Sequence, residues 1–203
     1  GLTHRDQMVG PWQVPVSDVA VTALSFLSNK GEAMAIGERS PIAVINAPAS
    51  CRMAFAEAIT NIAAADIELP TVKFSANWMA SCGSEGEDAK LYDAVKATSE
   101  FCIALGVSIP VGKDSCSMKT GWETESGEKR SVTSPVSMIA SASGPVGDIR
   151  LTLTPQLRPN VASKLIAIDL SEGRERLGGS ILAQVIQSFG DEAPDMESAE
   201  KLK

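Results

Sequence analysis

Aromatic residues, histidine and positive charge are all scarce in this chain of 203 residues. Aromatics make up 4% of the residues, so the core has to be built mainly from Ala, Val, Ile, Leu and Met. The formal net charge of −7 argues against nucleic acid or an anionic membrane surface as the main partner. No apolar run is long enough to span a bilayer, and no signal-peptide pattern is present.

The few cysteines and the single histidine limit the metal and nucleophile chemistry of the chain. The cysteines are Cys51, Cys82, Cys102 and Cys116. They form no CxxC pair and His4 is the only histidine, so we expect no structural zinc site. A Cys–His–Glu glutaminase triad is not expected either, and Cys116 is interpreted as a buried or bystander thiol. Wide cysteine spacing favours free thiols in a reducing cytosol, which predicts a cytoplasmic location.

The hydrophobic pattern predicts strands interleaved with helices. The predicted strands are residues 14–27, 31–41, 70–76, 107–111, 132–143 and 164–170, and the predicted helices are residues 48–65, 86–105 and 179–189. Pro135 lies inside one predicted strand and indicates a sheet edge or a bulge. Residues 119–130 are polar and contain two glycines, which fits either a hairpin or a flexible loop. Because strands and helices do not alternate strictly, we expect an α+β sandwich.

A change in composition near residue 150 predicts a domain boundary. Residues 151–162 contain two prolines and are interpreted as a linker between a domain over residues 1–150 and the beginning of a second domain over residues 163–203. The acidic, polar tail from Gly190 is expected to be frayed.

The densest group of functional side chains lies in IPVGKDSCSMKT, residues 109–120. Gly112 lets the backbone approach a ligand, Lys113 offers a positive charge, and Asp114 offers a hard oxygen ligand. The string is not a P-loop, because Gly106 and Gly112 are separated by five residues and Asp114 follows the lysine. A simple turn capped by Asp and Ser also fits the local sequence.

A second group of oxygen ligands lies on the predicted helix over residues 48–65. Glu57 and Asn61 are four residues apart, so they share one face of that helix. Carboxylate and amide oxygens suit a Mg²⁺ ion that bridges nucleotide phosphates. The spacing alone fits an ordinary solvated polar pair equally well.

Five sequence strings, taken in their order along the chain, are more specific than any single motif. They are RDQMVGPWQVPVSD (5–18), GEAMAIGERSP (31–41), AEAITNIAA (56–64), KFSANWM (73–79) and VGKDSCSMK (111–119). In this order they resemble the large, glutamine-dependent form of phosphoribosylformylglycinamidine synthase, in the aminoimidazole ribonucleotide synthetase-like superfamily. The resemblance covers essentially the whole chain. It implies the first domain of the second copy of a two-domain unit, with a mixed or antiparallel sheet backed by helices on one face, plus the start of a second α+β domain.

The activity that this resemblance implies belongs to a longer enzyme. ATP activates the amide oxygen of formylglycinamide ribonucleotide, and ammonia released from glutamine by a separate glutaminase domain displaces the phosphate. The implied partners are the small-molecule substrate and the other domains of the same enzyme. We expect the fragment alone to be inactive, and we expect it to self-associate through an apolar sheet face.

The resemblance also implies site residues. Asp18, Glu57 and Asn61 correspond to Mg²⁺ ligands of an auxiliary site that holds ADP without turnover, and Ser17 corresponds to a backbone contact with that nucleotide. The alternative to an active-site role for the chain is therefore a structural module that holds this fixed ADP and Mg²⁺.

The GKDSCSM string matches the region that faces the catalytic ATP and the substrate. Lys113 and Asp114 stand where the small form of the enzyme has a glycine and an asparagine that contact ATP and Mg²⁺. The change to Lys and Asp leaves the role of each residue open. Ser115 and Ser117 are expected to bind substrate phosphate or hydroxyl groups.

Overall fold

The computed structural model describes residues 2–5, 8–9, 14–15 and 18–203. Its strands are β1 (Thr3–Arg5), β2 (Met8–Val9), β3 (Val14–Pro15), β4 (Val19–Ala23), β5 (Gly31–Glu38), β6 (Lys73–Met79), β7 (Ser108–Ser115), β8 (Lys119–Glu123), β9 (Lys129–Thr133) and β10 (Ser137–Val146). Its α-helices are α1 (Ala47–Ile62), α2 (Glu87–Leu105) and α3 (Ile181–Val185). Short 3₁₀ helices lie at Ser40–Val44, Leu69–Thr71, Ile149–Leu151 and Ala199–Leu202.

Six strands form one mixed sheet in the order β1-β4-β5-β10-β6-β7. Neighbouring strands run antiparallel, except β6 and β7, which run parallel and are joined by the crossover through α2. The two central strands are β5 and β10, and β10 pairs with β5 on one side and with β6 on the other. Two antiparallel ribbons, β2–β3 and β8–β9, lie outside this sheet.

Helices cover one face of the sheet and leave the other face open. Residues along β5 alternate, with Ala33 and Ala35 buried and with Met34 and Ile36 58% and 59% exposed. The helix α1 packs across β5 and β10, and α2 packs against α1. The predicted α+β fold, a mixed sheet backed by helices on one face, is therefore confirmed.

Small side chains let α1 lie very close to the sheet. The buried alanines of α1 are Ala47, Ala49, Ala54, Ala56 and Ala58. A Cβ atom added at Gly37 of β5 would clash with the carbonyl oxygen of Ala54 and lie 2.7 Å from the backbone nitrogen of Ala58. Phe55 of α1 and Phe74 of β6 fill the wider space beside this contact, with ring centroids 4.9 Å apart. A chain poor in aromatics thus builds its core mainly from alanine, valine and isoleucine, with phenylalanines at few positions.

The long helices begin and end at residues suited to those positions. The Asn46 side chain accepts a hydrogen bond from a backbone N–H in the first turn of α1, and Pro48 follows in that turn. The helix α2 ends at Gly106, whose φ of +75° favours glycine. The buried Glu87 carboxylate accepts a hydrogen bond of 3.0 Å from the backbone N–H of Val136, which ties the start of α2 to the residue before β10. None of the helices in the described ranges has the length and apolar character needed to cross a membrane.

The predicted strand over residues 132–143 is divided at Pro135. The strand β9 ends at Thr133 and β10 begins at Ser137, because proline has no N–H to offer a ladder. The prediction that Pro135 marks a sheet edge or bulge was wrong, since it lies between a hairpin strand and a central strand of the sheet. Residues 119–130, for which a hairpin and a flexible loop were both open, contribute to the β8–β9 hairpin.

Residues 153–203 contain less regular structure than predicted. The predicted buried strand over residues 164–170 was wrong: the stretch is irregular, and Leu165, Ile166 and Ile168 are 91%, 82% and 79% exposed. Within the described part of the chain no strand pairs with this stretch, and its apolar side chains are therefore not buried against a sheet. The helix predicted over residues 179–189 forms only at α3.

The C-terminal tail is not frayed, contrary to the prediction. Met196 and Ala199 are buried in the main core. The Asp195 carboxylate accepts two hydrogen bonds from Arg52 on α1, of 2.8 Å from Nε and 2.5 Å from Nη2. Apolar burial and this bidentate ion pair together hold the tail against α1.

Candidate functional site

A cleft of about 640 Å³ lies between α1 and the C-terminal segment, and it contains the three predicted metal ligands. Asp18 immediately precedes β4, while Glu57 and Asn61 lie one turn apart on α1. The fold thus brings together residues that are 43 positions apart in the sequence, from Asp18 to Asn61. Ser17, the predicted nucleotide contact, lies outside the described residues.

The Glu57 carboxylate is held by two donors at the floor of the cleft. Its Oε1 lies 2.6 Å from Nη2 of Arg39, and its Oε2 accepts a hydrogen bond of 2.8 Å from the backbone N–H of Glu38. Arg39 also donates a hydrogen bond of 3.1 Å from Nη1 to the backbone oxygen of Glu38, its neighbour in sequence. The ion pair therefore fixes the orientation of the predicted metal ligand.

The Asn61 side chain is oriented by the sheet. Its Nδ2 donates a hydrogen bond of 3.0 Å to the carbonyl oxygen of Ile36 in β5. Because an amide has donors only on nitrogen, this bond leaves Oδ1 as the atom that can serve as a metal ligand. Backbone groups at the end of β5 thus position both Asn61 and Glu57.

The donor set fits a hydrated magnesium ion better than a fully protein-bound cation. Asp18, Glu57 and Asn61 offer two carboxylates and one amide oxygen. Among the described residues, no group of three or more His, Cys, Asp or Glu side chains is arranged to hold a metal. Mg²⁺ commonly keeps several waters and takes one or two carboxylates together with phosphate oxygens. The cleft suits Mg²⁺ accompanied by a phosphate group.

Two arginines on the far wall of the cleft were missed by the sequence analysis. Arg174 and Arg176 line the cleft, and both pair with Glu197. Their hydrogen bonds hold the pKa of the Glu197 carboxyl below its ordinary value of 4.5. The only signal in the sequence is the alternating string EGRER at residues 172–176, which ordinarily indicates a solvated surface. With Arg39, the cleft contains three arginines, each of which is already paired with a carboxylate.

The GKDSCSM segment lies elsewhere, on the edge strand β7. Lys113 is paired in register with Asn77 of β6, and Lys113 and Ser115 are hydrogen-bonded to each other through Nζ and Oγ. Asp114 falls between them and so points to the opposite face of the sheet. The alternative of a turn capped by Asp and Ser is thereby excluded for residues 113–115. None of these residues lines the cleft that holds Glu57.

The segment turns away from the sheet after Ser115. Ser117 forms an isolated antiparallel bridge with Ser81, in the connection between β6 and α2. Cys116 is exposed, so of the two alternatives for this thiol, buried or bystander, only the first is contradicted. Its Sγ lies 3.8 Å from Oδ2 of Asp114. The structure thus brings Lys113 and Ser115 together and places Asp114 and Ser117 apart from them.

A family model described as the FGAR-AT PurM_N-like domain matches residues 1–145 of the chain. These residues contain β1–β9, α1, α2 and all of β10 except its last residue, Val146, that is, nearly the whole sheet with its covering helices. Both groups of predicted site residues also fall within the matched range.

Solved structures with a similar fold come from Thermotoga maritima. PurL complexed with ADP and PurL complexed with FGAR each superpose with a TM-score of 0.52 at 16% sequence identity, over 68% of this chain and 21% of the other. A crystal structure of phosphoribosylformylglycinamidine synthase II gives a TM-score of 0.51 at 16% identity, over the same shares of both chains. This chain therefore spans about a fifth of the length of these proteins.

Proposed function

This chain belongs to the FGAR-AT PurM_N-like domain family, and from that premise we propose that it works as part of a larger ATP-dependent ligase. The proposed reaction converts formylglycinamide ribonucleotide, glutamine and ATP into formylglycinamidine ribonucleotide in de novo purine biosynthesis. The similar PurL structures complexed with FGAR, ATP and ADP support this choice of substrates. The carboxylate and arginine cleft beside α1 is the observation that carries the proposal.

The cleft is proposed to hold ADP with Mg²⁺. Asp18, Glu57 and Asn61 would supply oxygen ligands, and Ser17 would contact the nucleotide through its backbone. The arginines Arg39, Arg174 and Arg176 would offset phosphate charge. The cleft is large enough for a nucleoside diphosphate. When bound, Mg²⁺ would neutralise phosphate charge between the acidic ligands and the nucleotide.

The β7 edge is proposed to contribute to the catalytic ATP and substrate site. Lys113 carries a positive charge on an exposed strand, where it can stabilise the charge that develops during phosphoryl transfer. Asp114 is the proposed ligand for the catalytic Mg²⁺. Ser115, hydrogen-bonded to Lys113, and Ser117 are the proposed donors to the phosphate or hydroxyl groups of the substrate.

The alternative function is a structural module whose ADP and Mg²⁺ are never turned over. One observation favours it: Lys113 and Asp114 lie outside the cleft that contains Glu57, so this cleft does not include the proposed catalytic residues. The two functions are compatible within one enzyme but predict different effects of mutations in β7.

Calorimetric titration of ADP, with and without Mg²⁺, tests the nucleotide site. We expect Mg²⁺-dependent binding that is weakened at least about ten-fold in the Asp18→Asn/Glu57→Gln variant, because two ligand charges are removed. The titration is made on this chain and on the full-length enzyme that contains it. Glu125→Gln, an exposed charge change in the β8–β9 connection, is the matched control.

Unchanged affinity in the double variant would contradict the assignment of the cleft. Loss of binding in Glu125→Gln as well would show that net charge, rather than coordination, controls affinity. Binding that appears only in the full-length enzyme and is lost in its double variant would support the site and show that other parts of the enzyme complete it.

Asp114→Asn in the full-length enzyme separates the catalytic role from the structural one. Under the first function, turnover falls by at least about a hundred-fold while the ADP titration is unchanged, because a charged metal ligand at the reacting phosphate is lost. Under the alternative, turnover survives and only the melting temperature falls. Glu125→Gln again serves as the control.

Partners and location complete the proposal. The proposed partners are the other domains of the enzyme, including a glutaminase domain, in the cytoplasm. The open sheet face, with Met34 and Ile36 more than half exposed, supports self-association or docking of a second such domain. Analytical ultracentrifugation of the wild type and of Ile36→Lys measures the oligomeric state. We expect a dimeric wild type and a monomeric variant. A monomeric wild type would contradict self-association through this face.

A further inference from the structure

Two of the four cysteines are exposed and lie directly opposite each other on neighbouring segments. Cys82 and Cys116 flank the antiparallel bridge between Ser81 and Ser117. The backbone N–H of Cys82 donates a hydrogen bond of 2.9 Å to the carbonyl oxygen of Cys116. Side chains at directly opposed antiparallel positions lie on the same side of the ladder.

The spacing of these positions suits a disulfide. Opposed residues in antiparallel ladders have Cα atoms about 4.5–5.5 Å apart. Disulfides join Cα atoms about 4.4–6.8 Å apart, so little backbone movement would be needed. A hydrogen bond with the Cys116 side chain is the main cause that raises the pKa of the Cys82 thiol to about 11, which is consistent with two adjacent thiols.

The other two cysteines differ from this pair in their accessibility to solvent. Cys51 and Cys102 are buried on α1 and α2. Burial raises the pKa of each of these thiols to about 12, and it also shields both sulfur atoms from reagents in solution. The chain therefore contains one accessible dithiol pair and two inert thiols.

We propose that Cys82 and Cys116 form a reversible dithiol–disulfide site that reacts with small disulfides of the glutathione class. One thiolate of the pair attacks a sulfur of the small disulfide, which forms a mixed disulfide and releases one small thiol. The second protein thiolate then attacks the protein sulfur of the mixed disulfide and releases the second small thiol. The two protein thiols are oxidised, the small disulfide is reduced, and both protons end on the released thiols.

Closure would link two segments that flank proposed functional residues. The bond would join the connection between β6 and α2 to the end of β7, where Cys116 lies between Ser115 and Ser117. Asp88, which accepts hydrogen bonds from the backbone of Gly83, and Asp114 are the carboxylates facing the pair. An effect of closure on turnover would rest on the proposed function, whereas formation of the bond does not.

The test is incubation of the folded chain with oxidised glutathione, followed by intact mass and peptide mapping. We expect a mass loss of two hydrogens and a Cys82–Cys116 link, at least about ten-fold more abundant than the doubly glutathionylated protein. Cys82→Ser and Cys116→Ser should each retain one glutathione on the remaining partner instead. Dithiothreitol should restore the original mass.

Three results would overturn the proposal. They are two glutathione adducts without a link, a link that includes Cys51 or Cys102, and an unreacted protein at pH 8.5. Alkylation after unfolding, which should find Cys51 and Cys102 still free, distinguishes a link made in the folded protein from one made during handling.

Discussion

The helix-backed sheet and the segment over residues 153–203 are held by different interactions. In the sheet, α1 and the strands bury alanines and the Phe55–Phe74 pair with almost no exposed surface. In the segment, most apolar side chains are exposed, and ion pairs such as those of Glu197 with Arg174 and Arg176 are prominent. Exposed ion pairs contribute little stability, so the segment depends on the few residues that reach the core. The two regions should therefore lose structure at different free energies.

The largest expected effect is on the sheet. Phe55→Ala removes a fully buried ring that packs on Phe74, and it should lower the free energy of unfolding by about 3–5 kcal/mol because a cavity remains. Urea unfolding followed by circular dichroism measures it. Leu165→Ala, at a side chain 91% exposed in the segment, is the control and should change stability by less than about 0.5 kcal/mol. Equal losses in both variants would contradict the comparison.

The close contact of α1 with β5 gives the second effect. Gly37→Ala places a methyl group against the carbonyl oxygen of Ala54 and the backbone nitrogen of Ala58. It should lower the free energy of unfolding by about 2–3 kcal/mol, because neither atom can move without moving the helix. Gly121→Ala, where the nearest atom is 3.7 Å away in the exposed β8–β9 hairpin, is the matched control. A Gly37 variant as stable as the Gly121 variant would show that α1 is not fixed at the distance described.

A smaller effect is expected where the two regions meet. Arg52→Met leaves the Asp195 carboxylate, 8% exposed, without its bidentate partner. We expect the free energy of unfolding to fall by about 1–2 kcal/mol. This is less than for a fully buried pair, because Arg52 is 21% exposed. Hydrogen exchange should increase in residues 190–203 and stay unchanged in β5 and β10. Uniform loss of protection across the sheet would instead place Arg52 in the main core.

The smallest effect is a pH dependence confined to the segment. Hydrogen bonding with Arg174 lowers the pKa of Glu197, and hydrogen bonding with Lys201 lowers that of Glu172, from the ordinary value of 4.5. Depressed carboxyl pKa values contribute stability above the ordinary value, and this is lost as the pH falls through the folded-state pKa values. Hydrogen exchange of residues 170–203 should therefore accelerate below about pH 4.5, while β5 and β10 remain protected. Glu197→Gln should reduce this acid response, and an unchanged response would contradict it.

Much of the sheet could be predicted because its patterns are local. The alternation along β5, the asparagine cap of α1 and the glycine after α2 each determine one element. The central position of β10 could not be predicted, because pairing with β5 depends on residues about a hundred positions away. The strand expected over residues 164–170 failed for the same reason: an apolar run specifies a strand only where a partner and a covering face exist.

The site shows the same division between local and distant information. Glu57 and Asn61 share a helix face by simple spacing, and Asp18 was added through family resemblance rather than geometry. Arg39 pairs with Glu57 on α1, a residue 18 positions away that no local pattern connects to it. Arg174 and Arg176 carried no distinguishing pattern, since charged surface strings occur widely. Residue types that bind ligands were recognisable, but the salt bridges that orient them were not.

The central place of β10 has a consequence for the order in which the protein is made. Its register with β5 joins Val146 to Gly31, so the middle of the sheet closes only after more than a hundred residues have left the ribosome. Until then, α1 and β5 can meet, and α2 can bring β6 and β7 together, but the two halves lack their shared strand. Such long-range closure is slow compared with helix and hairpin formation. During synthesis, the part of α1 that packs on β10 therefore stays uncovered after β5 is in place, and a nascent-chain chaperone would have to shield it until β10 emerges.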